Sequence, residues 1–126
     1  MSDTILMALS TLEEIEKSLV MIQKRFACIK TSDDFLASDD NIEKLDSIAM
    51  RLLAIGEGLK NIDKLTDGKL LNQYPMIEWK KIKGLRDVLS HHYFDINAEI
   101  IFDICTQKLD QLLEVIQRIS ANLQEQ

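Results

Sequence analysis

Residues 45–62, LDSIAMRLLAIGEGLKNI, decide the fold, because apolar side chains recur in them at alternating steps of three and four. These side chains are Leu45, Ile48, Leu52, Ile55, Leu59 and Ile62. That period places all six on one face of an α-helix. We therefore predict a helix that begins near Asp39 or Asp40, ends near Lys64 and packs along a continuous apolar seam.

Similar seams occur at both ends of the chain. The first predicted helix covers about residues 3–30, and the last follows an N-cap at Asn97 and ends near Leu123. A shorter helix, from about Glu78 to Ser90 or His91, places Trp79 in the core. Since brief polar loops join these segments, we predict an all-α fold in one domain, residues 1–126. The expected architecture is an antiparallel up-and-down bundle of three long helices and one shorter helix.

The regular seams are also compatible with a coiled coil between two chains. Short loops favour packing within one chain, and a dimer of bundles would use both kinds of contact. A chain of 126 residues that is 46% hydrophobic and 29% charged has an ordinary globular composition. It contains no apolar run of roughly 18 residues, the length needed to span a membrane, and its first residues are not basic, so we expect neither a membrane anchor nor a targeting segment. Cys28 and Cys105 lie in apolar patterns, so we expect buried, reduced thiols and a cytoplasmic location.

The net charge of −6 argues against a general nucleic-acid binder. The charge is uneven, however. Residues 44–92 contain nine Lys and Arg against six Asp and Glu, whereas the flanking segments are strongly acidic. A confined site for a polyanion such as RNA is therefore compatible with this distribution.

The richest polar stretch is residues 84–94, GLRDVLSHHYF. Arginine stays protonated and histidine titrates near neutral pH, so Arg86 and His91 suit the binding of a phosphate and proton transfer beside it. The alternative is that Arg86 caps a helix end and the histidines are ordinary surface residues.

The spacing of these residues limits how they can act together. Five residues of helix turn through roughly 140°, so Arg86 and His91 would not share a face of one regular helix. A joint site needs either a helix that ends near Ser90 or a second copy of the chain. Asp87 lies four residues before His91 and could orient its imidazole.

The chain resembles the HepT-like branch of the HEPN superfamily, whose members are toxins paired with small nucleotidyltransferases. The resemblance is carried by Arg86, His91 and Tyr93 at their motif spacing. It extends to Ile55-Gly56-Glu57, to residues 75–85 before the motif, and to residues 93–96 after it. It covers essentially the whole chain.

This resemblance implies a homodimeric endoribonuclease that needs neither metal nor cofactor, with RNA as substrate. It implies catalytic roles for Arg86 and His91. It also implies that a cognate nucleotidyltransferase antitoxin silences the toxin by transferring AMP to Tyr93. The residues themselves add Glu57 as a candidate support for Arg86, either buried against it or facing solvent.

Two residues depart from the family pattern. Asp87 stands where the family usually has Asn, and His92 stands where it often has Gly. The charge of Asp87 would oppose an incoming phosphate, and His92 permits another assignment of the motif histidine. An alternative function is therefore a catalytically weak helical module that docks a nucleotidyltransferase or a nucleotide. A plain helical scaffold is a third possibility.

Overall fold

The computed structural model describes residues 2–90 and 96–126, and within these ranges all regular structure is helical. The α-helices are α1 (Asp3–Phe26), α2 (Asp39–Thr66), α3 (Trp79–Lys83), α4 (Leu85–Ser90), α5 (Ala98–Gln107) and α6 (Leu109–Gln124). Two short 3-10 helices, Ser32–Leu36 and Leu71–Gln73, lie in the connections on either side of α2. The predicted all-α fold is confirmed.

Helix α1 packs antiparallel to both α2 and α6. Near the start of α1, the Thr11 hydroxyl accepts a hydrogen bond from the Asn61 amide (3.2 Å), whereas Cys28, after α1, meets Lys44 near the start of α2. Between α1 and α6, hydrogen bonds join Gln23 to Asp110 and Glu16 to Gln117. In both pairs of helices the residue number rises along one helix and falls along the other, as in an up-and-down bundle.

One hydrophobic cluster fills the space between these helices. All six seam residues of residues 45–62 are buried, and their counterparts on α1 and α6 pack against them. Trp79 is also buried, and its indole N–H donates a hydrogen bond to the Tyr74 carbonyl (2.9 Å). The prediction that Trp79 belongs to the core is confirmed.

Two predicted helices are each divided by a single residue. Gly84 separates α3 from α4, and Lys108 separates α5 from α6. At each break the dividing residue still donates a hydrogen bond to the preceding helix, from the Gly84 N–H to the Lys80 carbonyl and from the Lys108 N–H to the Ile104 carbonyl, both 3.0 Å. Gly84 is a poor helix former, which explains the first break. The prediction of uninterrupted third and fourth helices was wrong in this respect.

Helix α1 ends at Phe26 rather than at the predicted Lys30. The reason is Asp34, whose carboxylate accepts hydrogen bonds from the N–H groups of Lys30 (2.7 Å) and Thr31 (3.0 Å). These backbone groups are thus bound to the turn and not to the helix. Cys28 follows the helix end and is exposed, so its predicted burial was wrong, whereas Cys105 is buried as predicted.

Candidate active site

Arg86 lies on α4 with its side chain directed toward α2. Its Nη1 atom lies 3.3 Å from Oε1 of Glu57 and donates a hydrogen bond to it. The Arg86 side chain is 64% exposed and that of Glu57 is 47% exposed. Glu57 therefore contacts Arg86 as one of the sequence alternatives proposed, but from a position open to solvent and not from the core.

The same carboxylate oxygen of Glu57 also faces Lys60, one turn further along α2, at 3.5 Å. Two cations thus share one acceptor atom. An arginine has five N–H donors in a planar fork, and its hydrogen bond to Glu57 uses one of them. The exposed guanidinium is therefore suited to an oxyanion such as a phosphate, which prefers two parallel donors.

A close approach of backbones brings the end of α3 against α2. At Gly56 a side chain would place its Cβ only 3.0 Å from the carbonyl oxygen of Ile82 and 3.7 Å from that of Lys83. The absence of a side chain at Gly56 permits this contact. The contact places the beginning of α4, and hence Arg86, beside Glu57.

A second ion pair joins the same two segments, between Lys83 Nζ and Asp63 Oδ2. This pairing was not predicted from the sequence. Lys83 lies three residues before Arg86, and Asp63 lies six residues after Glu57, so the two pairs are arranged as expected for antiparallel segments. That matched spacing of opposite charges is a weak signal by itself, because it becomes meaningful only when the two helices are known to be neighbours.

The structure places some candidate residues and does not describe others. Arg86 and Glu57 come together, and Asp87 is exposed on α4 immediately after Arg86. His91, His92 and Tyr93 lie outside the described residues. The predicted relation between Asp87 and His91 and the joint use of Arg86 and His91 therefore stay predictions.

The family model described as "Ribonuclease HepT-like" matches residues 15–119, which include α2, the Arg86 segment and most of α6. The chain belongs to the ribonuclease HepT-like family. The family that the motif predicted is thereby confirmed.

Individual proteins agree with this assignment. The chain is 37% identical over 94 residues to the Methanocaldococcus jannaschii protein named "Putative RNase MJ0127", which covers 75% of this chain and 72% of that protein. It is 32% identical over 65 residues to "Putative RNase TTE0752" of Caldanaerobacter subterraneus, covering 52% of this chain and 54% of that protein. It is 28% identical over 112 residues to the M. jannaschii protein "Gamma-glutamylcyclotransferase and putative RNase MJ0434", covering 89% of this chain and 47% of that protein. The chain thus spans about half the length of the last two relatives. No solved structure matches it significantly.

The lysines that precede Arg86 in this HepT-like chain are largely engaged within the molecule. Lys81 pairs with Glu78 at 2.8 Å, and Lys108 approaches the same carboxylate at 3.6 Å. These lysines hold the pKa of Glu78 below its ordinary value, Lys81 through its hydrogen bond and charge and Lys108 mainly through its charge. With Lys83 bound to Asp63, Lys80 is the member of the group that is exposed and forms no ion pair within the described residues.

In residues 2–90 and 96–126, no group of three or more His, Cys, Asp or Glu side chains is arranged to hold a metal ion. In the same ranges, none of the helices combines the length and the apolar character needed to cross a membrane.

Proposed function

We propose that this chain is a metal-independent endoribonuclease that acts as the toxin of a prokaryotic toxin-antitoxin pair. The observation that carries the proposal is the position of Arg86, an exposed guanidinium placed against Glu57 within a chain of the HepT-like ribonuclease family. The relatives that are named as putative RNases also support a ribonuclease activity. RNA is the proposed substrate and the cytoplasm the proposed location.

In the proposed mechanism the nucleophile comes from the RNA. His91 removes the proton from a 2′-hydroxyl, and that oxygen then attacks the adjacent phosphorus. The bond from phosphorus to the 5′ oxygen breaks, and the leaving oxygen takes up a proton from water, so that the products carry a 2′,3′-cyclic phosphate and a 5′-hydroxyl. Arg86 binds the phosphate and stabilises the charge that develops on its oxygens. Glu57 biases the direction of the guanidinium.

The active enzyme is proposed to be a homodimer in which two motif copies face one cleft. If a regular helix continued through His91, Arg86 and His91 would point in directions roughly 140° apart, and one chain would present them poorly to a single phosphate. A second copy would supply the complementary group. The exposed position of Arg86 is compatible with such an arrangement.

Control of the toxin is proposed to operate through Tyr93. The cognate nucleotidyltransferase antitoxin would transfer the adenylyl group of ATP to the phenolic oxygen of Tyr93, with release of pyrophosphate. Tyr93 lies seven residues after Arg86 in the sequence. The added phosphate would compete with RNA for the guanidinium of Arg86 and would repel the RNA backbone. Purified toxin co-expressed with its antitoxin should then carry an AMP mass increment on the Tyr93 peptide. A neutralised toxin with unmodified Tyr93 would contradict this form of control.

A second candidate is a weakly catalytic module that docks a nucleotidyltransferase or a nucleotide. The observation that favours it is Asp87, an exposed carboxylate next to Arg86. Its negative charge lowers the affinity of this surface for a phosphate. Asp87→Asn should raise RNA cleavage if the enzyme is merely impaired by this charge, and it should leave a pure docking module unchanged.

The decisive experiment is cleavage of RNA in the presence of a chelator by the wild type and by Arg86→Ala and His91→Ala. Both variants should lose cleavage by about a hundredfold or more. Arg118→Ala is a matched control, because Arg118 is an exposed arginine paired with Glu114 on α6. Equal rates for wild type and both motif variants would rule out the proposed mechanism, and loss of activity in chelator would rule out metal independence.

A further inference from the structure

The ion pair between Lys83 and Asp63 is the least exposed of those in residues 2–90 and 96–126. The Lys83 and Asp63 side chains are 26% and 25% exposed. In each of the other ion pairs within these ranges, at least one of the two side chains is 47% exposed or more. An ion pair partly removed from water is screened less by solvent and salt than a surface pair. Lys83 and Asp63 therefore hold their segments together more firmly than Arg86 and Glu57 do.

The location of this pair connects it with Arg86. Lys83 is the last residue of α3, and Gly84 interrupts the helix before α4 begins. The backbone at Ile82 and Lys83 rests on Gly56 of α2, where a Cβ atom would lie 3.0 Å from the Ile82 oxygen. The end of α3 is thus fixed to α2 by a backbone contact on one side and by a charged pair at Asp63.

The contact made by Arg86 itself is weaker. The Arg86–Glu57 pair is largely exposed, and such pairs contribute little energy in water. It cannot by itself fix where the guanidinium lies. The start of α4 is instead attached to the end of α3, since the Asp87 N–H donates a hydrogen bond to the Gly84 carbonyl (3.1 Å). The position of Arg86 therefore depends on what holds Lys83.

We propose that Asp63 and Lys83 are positioning residues, which fix the end of α3 along α2 and thereby place Arg86 beside Glu57 for phosphate binding. The inference rests on the proposed function, because it assigns to this pair a role in placing the group that binds the RNA phosphate. Loss of the pair allows α4 to shift relative to α2. A displacement of about 1 Å at a group that contacts the reacting phosphate is enough to slow a reaction substantially.

The first test compares Asp63→Asn with wild type in single-turnover RNA cleavage and in binding of a non-cleavable 2′-deoxy-substituted RNA. Cleavage should slow by about tenfold or more. Glu114→Gln is the matched control, because it removes the carboxylate of an ion pair confined to α6 and should change the rate by less than about twofold. Asp63→Glu retains the charge and should recover most of the lost rate. Melting temperatures of all variants establish that each is folded at the assay temperature.

The second test separates positioning from general stability. If Asp63 acts through Arg86, Asp63→Asn should weaken RNA binding in the wild-type background and change it by less than about twofold in an Arg86→Ala background. The Arg86 Nε–Hε resonance should shift in Asp63→Asn and stay unchanged in Glu114→Gln. The exchanged pair, Asp63→Lys with Lys83→Asp, should restore the resonance and much of the binding.

The outcomes distinguish this inference from the proposed function. An active wild type with a folded Asp63→Asn variant that cleaves and binds as well as wild type would overturn the positioning role and leave the ribonuclease intact. An inactive wild type would overturn the ribonuclease. In that case the Arg86 resonance still decides the positioning role, because an unchanged resonance in folded Asp63→Asn would refute it.

Discussion

Arg86 and Glu57 meet at 3.3 Å on the surface of the bundle, where both side chains remain about half or more exposed. Lys60 Nζ also lies 3.5 Å from Glu57 Oε1, so Arg86 shares this carboxylate with a second cation. The contact is strong enough to bias the direction of the guanidinium and weak enough to be exchanged for a phosphate. This combination is compatible with the phosphate binding proposed for Arg86.

Replacing Glu57 by Gln should separate binding of RNA from its cleavage. The variant loses a negative charge that competes with phosphate for Arg86, so non-cleavable RNA should bind about two- to threefold more tightly. It also loses the partner that directs the guanidinium, so the single-turnover cleavage rate should fall by about fivefold or more. Stability should change by less than about 1 kcal/mol, since the pair is exposed.

Glu13→Gln is the control for this variant, because Glu13 pairs with Lys17 on α1 in a similarly exposed setting. It should alter neither RNA affinity nor cleavage. Weaker RNA binding by Glu57→Gln at an unchanged cleavage rate would show that Glu57 acts in another way.

The seam of residues 45–62 was readable from sequence because burial follows the period of a helix, and the six seam residues of α2 are all buried. The breaks at Gly84 and Lys108 were not readable in this way. Lysine is a good helix former, and a single glycine is often tolerated within a helix. Cys28 was misassigned for a related reason, since α1 ends at Phe26 and the helical register no longer applies two residues later.

The candidate site shows the same division between local and long-range information. Arg86 could be singled out by its chemistry and its motif, because both are encoded in neighbouring residues. The contacts that hold it, with Glu57 and through Lys83 with Asp63, join residues 29 and 20 positions apart. These depend on how α3 and α4 pack across α2, and the sequence alone left open whether Glu57 is buried against Arg86 or faces solvent.

Gly56→Ala should destabilise the protein more than Gly58→Ala. Alanine favours a helix over glycine by about 1 kcal/mol at either position. At Gly56 the added methyl would lie 3.0 Å from the Ile82 carbonyl, which belongs to the backbone, whereas at Gly58 it would meet the Ile15 side chain at 3.1 Å. A side-chain end moves aside more easily than a backbone carbonyl. Urea unfolding should show a net loss of about 1–3 kcal/mol for Gly56→Ala and a change within about 1 kcal/mol for Gly58→Ala. Equal losses would contradict the close approach at Gly56.

Asp34 should make stability depend on pH in the acid range. The hydrogen bonds from the N–H groups of Lys30 and Thr31 hold the pKa of Asp34 below its ordinary value of 3.8. A folded-state pKa that is depressed stabilises the protein fully above the unfolded value, and this contribution is lost as pH falls through the folded value. The melting temperature of Asp34→Asn should therefore lie below that of wild type at about pH 6 and approach it as the pH falls below about 4. Asp33→Asn, which removes the neighbouring carboxylate, is the control. A difference between Asp34→Asn and wild type that is the same at both pH values would contradict the role of the Asp34 charge.

The two cysteines should differ sharply in reactivity, because one follows the end of α1 and the other lies within the core. Cys28 is exposed, whereas burial raises the pKa of the Cys105 thiol to about 12. Since the thiolate is the reactive form, a disulfide reagent such as DTNB at about pH 8 should label one thiol per folded chain and two after denaturation. Cys28→Ser should abolish labelling of the folded protein, and Cys105→Ala should preserve it. The raised pKa of Cys105 also predicts that its contribution to stability, complete below the unfolded pKa of about 9, falls as pH rises toward the folded value. Rapid labelling of Cys105 in folded Cys28→Ser would show that α5 opens readily from the core.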